Sequence, residues 1–434
     1  MRPRYGTPVE IVPVPKTGSK NNGIFPRDSL RIAGPPPDHL DRGSTLPESS
    51  SRSRAMSSAK QCPGQSSNRG HSRFFPAIWL AFGPRPANQR TGLLAVVGLV
   101  VGLVGGPLHL ARGAEGEPPP NTPSVSVPDA IPRLQASLEL LDRGAAAYAE
   151  RRQCFACHHQ AVPLAAHRAA RHWRDPQPDR EAALVQFTLD SFRPRLDALR
   201  EGSGVGGRGL TAGYALWQLT LAEHPADDVT SALVEYLLQT QEERGDWRLD
   251  AVRPPAEESR AMATVLASLG IAHFAVPDQR PRAGASLART RDWLLALRPA
   301  VHEDRVARLW GARLPDMPAG YREQARRELL DNQAPDGGWR PTPDFPTDAY
   351  ATATAVYVLL DTGLAGEDRA VVRGAEWLWR ARQPDGSWHV PSRATPVQVF
   401  FDNGDPHGAD QFISMLATGW ATAALSRLQP PARP

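Results

Sequence analysis

Three short segments of the chain share the same set of residues between a Gln and a Trp, and no other feature of the sequence constrains the fold as strongly. Each segment ends a run of apolar residues at helical spacing and joins a Gln to an Asp, a Gly and a Trp. The segments are Gln241 to Trp247, Gln333 to Trp339 and Gln383 to Trp388. A Gly at this place can adopt a positive φ and end a helix, Asp favours the turn, and the Trp can return to pack on the helices. We therefore predict a repeated helical unit that each segment stabilises.

The spacing of the three tryptophans predicts the length of the unit. Trp247 and Trp339 lie 92 residues apart and Trp339 and Trp388 lie 49 apart, so the first interval fits two units of about 46 residues. A degenerate unit should lie between the first two segments, with the helix around residues 293–297 as its candidate. Apolar residues recur at helical spacing from about residue 134 to about residue 428 with little strand-like alternation, which indicates an all-α fold.

The three segments resemble the QW repeats of squalene and oxidosqualene cyclases and of the wider prenyltransferase and terpenoid-cyclase group. The resemblance covers residues 133–428 and implies an α/α toroid, in which inner helices surround a central cavity and outer helices form the wall. It also implies that the toroid cavity can hold an apolar ligand such as an isoprenoid.

The residues that react in that group have no counterpart in this chain. The D-x-D-D acid motif of bacterial squalene–hopene cyclases is absent, and Asp344 and Asp348 stand isolated. The zinc site of protein prenyltransferases includes a Cys, and the chain has no Cys after position 157. The resemblance therefore predicts the fold and leaves the activity open.

The N-terminal part differs in composition from the rest of the chain. Residues 1–90 are rich in Pro, Ser, Gly and Arg and have few apolar runs, so we predict a disordered extension. Residues 114–132 form an acidic, proline-rich linker that we expect to be extended. The toroid then occupies residues 133–428.

Residues 91–113 have the layout of a signal peptide or membrane anchor. Basic residues precede the apolar run at 93–104, and small residues follow it, with Ala111 and Gly113 placed for cleavage. The apolar run is short for a membrane span, which needs about 20 residues. A signal peptide normally begins a chain, so Met56 is an alternative start. We expect an exported protein, periplasmic or anchored facing the periplasm, that meets the membrane only through this segment.

The charges give no sign of a nucleic-acid partner. The formal net charge is +4 over 434 residues, and Arg is mixed with Asp and Glu through the C-terminal two-thirds. A nucleic-acid-binding surface would need a basic stripe with interleaved aromatic residues, which the sequence lacks. We expect no nucleic acid to bind.

The segment Gln153 to Gln160, QCFACHHQ, holds two of the three cysteines of the chain and follows them with two histidines. C-x-x-C-H is the attachment signature of c-type haem, because two thiols at this spacing can reach both vinyl groups of one porphyrin while the next imidazole turns towards the iron. We predict that Cys154 and Cys157 carry covalent haem c and that His158 is the proximal iron ligand. Bacteria attach haem in this way outside the cytoplasm, which agrees with the export signal.

The repeat also predicts where this segment lies. Gln153 and Gln241 are 88 residues apart, which is close to two units, and an apolar helical run precedes each of them. We therefore predict that residues 153–160 form the helix-end loop of the first toroid unit, so that the haem lies at a rim of the toroid.

Two other interpretations of the cysteines remain open. A disulfide or redox pair of Cys154 and Cys157 would suit an oxidising compartment, although thioredoxin-like chemistry is expected in a βαβ setting. A zinc site would need about four ligands, and the adjacent His158 and His159 would have difficulty binding one ion together.

The whole chain also resembles a poorly characterised group of exported bacterial proteins that join a C-x-x-C-H-H-Q segment to such a toroid. The matching features are Cys154 to Gln160, Arg253 to Ser259, and Pro406 to Gln411 with Ser414. The resemblance implies the architecture and the haem cofactor but no activity.

His407 is our first choice for a distal iron ligand, since Pro406-His-Gly408 is a loop that can present a side chain. The other histidines and methionines after the signature remain alternatives, and His159 has no assigned role. Glu257 and Glu258 could supply a site acid, although we favour an exposed start of a helix for this pair.

We therefore expect an exported haem-binding protein that transfers electrons to a redox partner protein or uses the haem for ligand chemistry. One alternative is an enzyme, either a haem-dependent oxidase or peroxidase or a remnant of a terpenoid cyclase. A second alternative is a non-catalytic repeat module that binds a partner and in which Cys154 and Cys157 form only a disulfide.

Overall fold

The computed structural model describes residues 127–394 and 401–429, which form thirteen α-helices. The predicted extension (1–90) and the apolar segment (91–113) lie outside the described residues. The helices are α1 (Val127–Arg151), α2 (Val162–Ala170), α3 (Pro178–Phe192), α4 (Leu196–Arg200), α5 (Arg208–Leu221), α6 (Asp228–Thr240), α7 (Arg260–Phe274), α8 (Arg280–Ala296), α9 (His302–Gly311), α10 (Tyr321–Leu330), α11 (Ala349–Asp361), α12 (Arg369–Ala381) and α13 (Gln411–Ser426).

Six of these helices form a closed inner ring. In ring order they are α2, α5, α7, α9, α11 and α13; each packs against the next, and α13 packs back on α2. The helices α1, α3, α6, α8, α10 and α12 each precede an inner helix and pack on the outside of the ring. The predicted α/α toroid is therefore confirmed.

Burial distinguishes the inner helices from the outer ones. Eleven of the thirteen residues of the inner helix α11 are buried, whereas four of the thirteen residues of the outer helix α12 are buried. A helix surrounded by protein is apolar on all sides, while a wall helix needs only one apolar stripe. The difference explains why the sequence of α11 consists of small and apolar residues.

The three repeated segments form turns of the same geometry. Their glycines have positive φ angles, which residues with a side chain rarely adopt. Each tryptophan indole N–H donates a hydrogen bond to the backbone carbonyl of the residue ten positions earlier. The φ angles are 103° at Gly245, 95° at Gly337 and 96° at Gly386, and the indole bonds reach Leu237 (3.1 Å), Leu329 (2.9 Å) and Leu378 (2.7 Å). The predicted roles of Gly and Trp are confirmed.

A threonine on the following inner helix completes each turn. The backbone N–H of Trp247 donates to Thr264 (3.2 Å), that of Trp339 to Thr352 (3.0 Å), and that of Trp388 to Thr418 (3.0 Å). These amides are buried, so each would lose a hydrogen bond without the threonine hydroxyl. The sequence analysis did not recognise the threonines as part of the repeat.

The last repeated turn closes the ring on the first helix. Ser137 of α1 donates to the carbonyl oxygen of Gly386 at 2.7 Å, and Arg382 donates to the carbonyl oxygen of Arg133 at 2.7 Å. The predicted degenerate unit corresponds to α8 and α9, where the helix predicted around residues 293–297 is the end of α8.

The segment 153–160 connects α1 with α2, in the place that the repeat spacing predicts. Residues Cys157–Ala161 form a π-helical turn that leads directly into α2. The outer helix α1 begins at Val127, within the part of the chain that we predicted to be an extended linker. The toroid therefore uses some of that linker as its first helical turns.

Candidate functional site

The two cysteines of the segment are in different chemical states. Cys154 is disulfide-bonded, and Cys157 has a free thiol, so the alternative of a Cys154–Cys157 disulfide is wrong. Tyr148 of α1 lies against the first of them, with its hydroxyl oxygen 3.5 Å from the Cys154 sulfur. Burial, with a smaller contribution from the charge of Glu257, raises the pKa of the Cys157 thiol to about 12. The Cys157 thiol is therefore protonated at neutral pH.

His158 has a buried nitrogen without a hydrogen bond. Its Nε2 atom is enclosed and has no partner among the described residues, while Nδ1 lies 3.9 Å from the Cys157 sulfur. The ring lies 4.9 Å from that of Phe412, between centroids, and 6.0 Å from that of Tyr148. Burial lowers the pKa of His158 well below its usual value, and His159 and Arg253 lower it further. His158 is thus a neutral imidazole, the form that can bind a metal.

His159 differs from its neighbour because its Nε2 atom is hydrogen-bonded, while its Nδ1 atom is buried without a partner among the described residues. Its Nε2 atom lies 2.8 Å from Oδ2 of Asp405, and both side chains are buried. Asn403 donates to the same carboxylate oxygen at 2.9 Å. The His159 ring stacks on the Tyr148 ring with 4.7 Å between centroids. Two adjacent histidines therefore have different roles, one held by hydrogen bonds and one left available.

Gln160, the last residue of the segment, forms a hydrogen bond back to the start of the π-helical turn. Its side-chain oxygen accepts a hydrogen bond from the backbone N–H of Ala156 at 2.7 Å, and the side chain is buried. The residue thereby satisfies a backbone donor at the start of the π-helical turn. The last three residues of C-x-x-C-H-H-Q are thus a free imidazole, a bonded imidazole and a cap.

The predicted distal ligand His407 has other partners. Its Nε2 atom lies 2.7 Å from the hydroxyl of Ser387 in the third repeated turn, and its ring stacks on that of His389 at 4.6 Å. The aromatic neighbours of His158 are Tyr148, His159 and Phe412. In the described part of the chain, the structure therefore brings His158 together with His159 and not with His407.

A buried acid that the sequence analysis missed lies at the start of α9. Glu303 accepts a hydrogen bond from the Tyr350 hydroxyl at 2.7 Å, and its other oxygen accepts from the backbone N–H groups of Glu258 (2.8 Å) and Ser259 (2.9 Å). Burial raises the pKa of Glu303 to about 7. An acidic residue in a first helical turn is common for electrostatic reasons, so no sequence signal distinguishes this one.

The acid lies in the first turn of the inner helix α9, and the cysteine segment leads directly into the inner helix α2. Burial raises the pKa of Tyr214 on α5 well above its usual value, and the nearby Cys157, Glu303 and Glu257 contribute to that shift. Because each inner helix follows an outer one, the inner helices run in the same direction and their first turns gather at one end of the ring. Groups from four elements therefore meet at this end.

The structure corrects our expectation for Glu257. Its side chain is 25% exposed and bonds to Arg253 at 3.3 Å, and it precedes α7 in a loop. An exposed start of a helix is therefore the wrong description, because this carboxylate is largely buried and is paired with Arg253.

An aromatic layer fills the ring beyond this end. Trp217, Trp310, Tyr357 and Trp420 come from four inner helices and lie with ring centroids between 4.9 and 6.3 Å apart. All four side chains are buried. The layer occupies part of the interior in which the family resemblance would place an apolar ligand.

A cavity of about 510 Å³ lies between α1 and α3, on the outer side of the segment. Its apolar lining includes Ala145, Ala149, Leu184 and Phe187, and Gln160 of the segment forms part of its wall. The Tyr148 ring lies 6.2 Å from that of Phe187, and Tyr148 also contacts Cys154. The lining also includes four charged residues, Glu139, Asp142, Arg143 and Arg180, so a mostly apolar space with charged groups adjoins the cysteine segment.

Two further structural findings concern membranes and metal ions. None of the helices within residues 127–394 and 401–429 is long and apolar enough to cross a membrane. Over the same ranges, no three His, Cys, Asp or Glu side chains are grouped so that they could hold a metal ion.

Comparison with known proteins gives one sequence relative and several structural ones. No protein-family model matches the chain. A drimenyl diphosphate synthase from Streptantibioticus cattleyicolor is 31% identical over 189 residues, which are 40% of this chain and 34% of that enzyme. The chain thus spans about a third of the length of this relative.

The structural relatives share little sequence with the chain. A protein from Actinoplanes has a TM-score of 0.43 and 15% identity, over 69% of this chain and 99% of that protein. The type II terpene cyclase MstE from Scytonema has a TM-score of 0.31 and 14% identity, over 70% of this chain and 98% of the cyclase. The assignment of a toroid depends on the closed ring of helices itself.

Proposed function

We propose that this chain is an exported protein that binds one covalent haem c and transfers electrons. The observation that supports the proposal best is the buried Nε2 atom of His158, which has no hydrogen-bond partner among the described residues and follows directly after a C-x-x-C pair. A buried polar atom without a partner is costly for a fold, and a ligand that uses the atom explains why it is retained.

The donor groups fit this cofactor. His158 is neutral and would supply the axial nitrogen, and Cys157 has the free thiol that a thioether bond requires. Cys154 would have to be reduced before its sulfur could attach, since it is disulfide-bonded in this structure. The apolar cavity beside Gln160 offers space next to the segment. Haem would supply one-electron chemistry, with a potential set by its ligands and its burial.

The residues around His158 would control its environment. The rings of Phe412 and Tyr148 lie against the imidazole ring, and burial favours a neutral imidazole over an imidazolium. When Nδ1 carries the proton, it can donate to the Cys157 sulfur, which leaves the lone pair on Nε2. The protein would thus keep one nitrogen ready for a metal at all physiological pH values.

The proposal includes export and a redox partner. Covalent haem attachment takes place outside the cytoplasm in bacteria, and the predicted signal at residues 91–113 would direct the chain there. A rim position brings a haem near the surface, where a partner protein could exchange electrons with it. The partner would be another redox protein of the same compartment.

An absorption spectrum tests the proposal. The full chain would be produced with a periplasmic cytochrome c maturation system, and the denatured protein would be assayed for bound haem by mass spectrometry and haem staining. We expect a Soret band and one covalent haem, both lost in Cys157→Ala and strongly reduced in Cys154→Ala. Cys62→Ser, which removes the third cysteine, should keep the haem. A wild-type protein without covalent haem overturns the proposal.

Addition of carbon monoxide or cyanide separates electron transfer from ligand chemistry. A low-spin spectrum that neither molecule changes favours electron transfer, because both axial positions would be filled. A spectrum that shifts on addition favours a haem-dependent oxidase or peroxidase. His407→Ala should change the spectrum only if His407 is the distal ligand.

A second candidate is acid-catalysed chemistry on an isoprenoid. The buried Glu303–Tyr350 pair favours it, since a carboxyl with a pKa near 7 can hold a proton for transfer, and the sequence relative is named for a drimenyl diphosphate product. Linear isoprenoid diphosphates of several lengths would be incubated with the wild type and with Glu303→Gln. Cyclic products from the wild type alone would support this candidate, and no product from either would rule it out.

A further inference from the structure

The second histidine of the segment is buried as deeply as any core residue, although a C-x-x-C-H site does not need it. His159 has no exposed surface, and its Nε2 atom lies 2.8 Å from the carboxylate of Asp405, 246 positions along the chain. Burial of an imidazole and a carboxylate together costs desolvation energy that good hydrogen-bond geometry must offset. This pair therefore requires an explanation beyond the filling of space.

The pair is connected to the first outer helix. Asn403 donates to Oδ2 of Asp405 at 2.9 Å and to the backbone carbonyl of Gly144 at 3.1 Å. A Cβ atom at position 144 would lie only 2.6 Å from Oδ1 of Asp405, so a side chain there would displace the carboxylate where it meets α1. The loop before α13 is thus fixed against α1 at the point where the ring closes.

The same pair is connected to the cysteine segment through stacked rings. His159 stacks on Tyr148 at 4.7 Å with an interplanar angle of 23°, and the Tyr148 hydroxyl contacts the Cys154 sulfur. The His158 ring lies 4.5 Å from the His159 ring and 4.9 Å from the Phe412 ring, between centroids. A rotation of His158 would therefore bring it against one of these rings.

From this arrangement we infer that His159, held by Asp405 and Asn403, is a positioning residue that fixes the orientation of His158 and the depth of the Cys157 thiol. The inference depends on the proposed function as far as haem is concerned, whereas the anchoring of the segment stands without it. A hydrogen-bonded neighbour that fixes a ligand is comparable with the groups around metal-binding histidines, whose loss weakens metal binding about 10- to 100-fold.

The chain contains a matched control for this role. His167 on α2 is also a buried histidine with Nε2 bonded to a carboxylate, that of Asp142, at 2.7 Å. It follows the segment by a full turn of helix or more, and its partner Asp142 lies on α1 outside the segment. His167→Gln should therefore disturb packing to a similar degree without moving the segment.

The first measurement needs no haem. Cys157 is made the single cysteine by Cys62→Ser and Cys154→Ser, and its rate of alkylation is measured in folded protein. We expect Asp405→Ala to increase the rate about tenfold or more, because the segment loses its anchor. Asp405→Asn, which can still accept a hydrogen bond from His159, should restore most of the protection. Circular dichroism establishes that each variant is folded.

The second measurement uses the haem-loaded full chain. We expect carbon monoxide to leave the spectrum of the wild type unchanged, because both axial positions would be filled, and to shift the spectra of His159→Ala and Asp405→Ala, since His158 is held less firmly. His167→Gln should match the wild type in its alkylation rate and in its spectrum. Equal alkylation rates in Asp405→Ala and His167→Gln would overturn the inference. A wild type without haem would refute the proposed function, while the alkylation rates would still decide the role of His159.

Discussion

Replacement of Glu303 by Gln tests whether a carboxyl group inside the ring is protonated near neutral pH. Gln has almost the same shape, and its side-chain oxygen can still accept the backbone N–H groups of Glu258 and Ser259. The Tyr350 hydroxyl, which donates to Glu303 at 2.7 Å, can accept a hydrogen bond from the amide instead. The substitution therefore removes the titration and retains most of the contacts.

The size of the pH-dependent change in the free energy of unfolding follows from the pKa of Glu303. Burial raises it from its ordinary value of 4.5 to about 7. Between these values the folded protein keeps the proton, whereas the unfolded chain has released it, so the free energy of unfolding falls as the pH rises through this window and is constant above it. A shift of this size corresponds to about 3 kcal/mol of stability that is present at low pH and lost by about pH 8.

The assay is urea denaturation, followed by circular dichroism, of the wild type and Glu303→Gln at several pH values. We expect the difference between the two proteins to change by about 2 to 3 kcal/mol between about pH 5 and about pH 8, in favour of the variant at high pH. Glu323→Gln, at a side chain that is 61% exposed, serves as the control and should follow the wild type. If the free energies of unfolding of the wild type and Glu303→Gln change in parallel with pH, Glu303 is ionised throughout this range. The conclusion that burial raises its pKa would then be wrong.

Four further substitutions test the packing of the toroid by the same urea assay. Trp420→Ala opens the aromatic layer and should cost about 3 to 5 kcal/mol; a loss below about 1 kcal/mol would mean that the layer contributes little. Gly363→Ala, at a positive φ with open space, should cost about 1 to 2 kcal/mol, whereas Gly245→Ala should cost more, because its Cβ would also collide with a backbone carbonyl of α8; equal costs would contradict this. Thr352→Val leaves the buried amide of Trp339 without its acceptor and should cost about 1 to 3 kcal/mol, and an unchanged midpoint would exclude the threonine from the repeat.

The parts of the site that are close in sequence could be predicted, and those that join distant segments could not. The C-x-x-C-H motif and its place between an outer and an inner helix followed from residue order and spacing. The contact of His159 with Asp405 could not be found in this way, since 246 positions separate them. Glu303 was missed because an acidic residue at the start of a helix is ordinary, and only its burial makes it unusual.

The sequence alone determined the helices, their repeat and the turns that end them, because helix periodicity, positive φ at Gly and the return of Trp are governed by residues within about ten positions of one another. Only the tertiary structure decided which side chains share the interior once the ring has closed. It separated His158 from His407, paired His159 with Asp405 and enclosed Glu303 beside Tyr350. The protonation and hydrogen bonding of each group depend on how far packing removes it from water and on which partners packing brings to it. The residues adjacent in sequence determine neither of these.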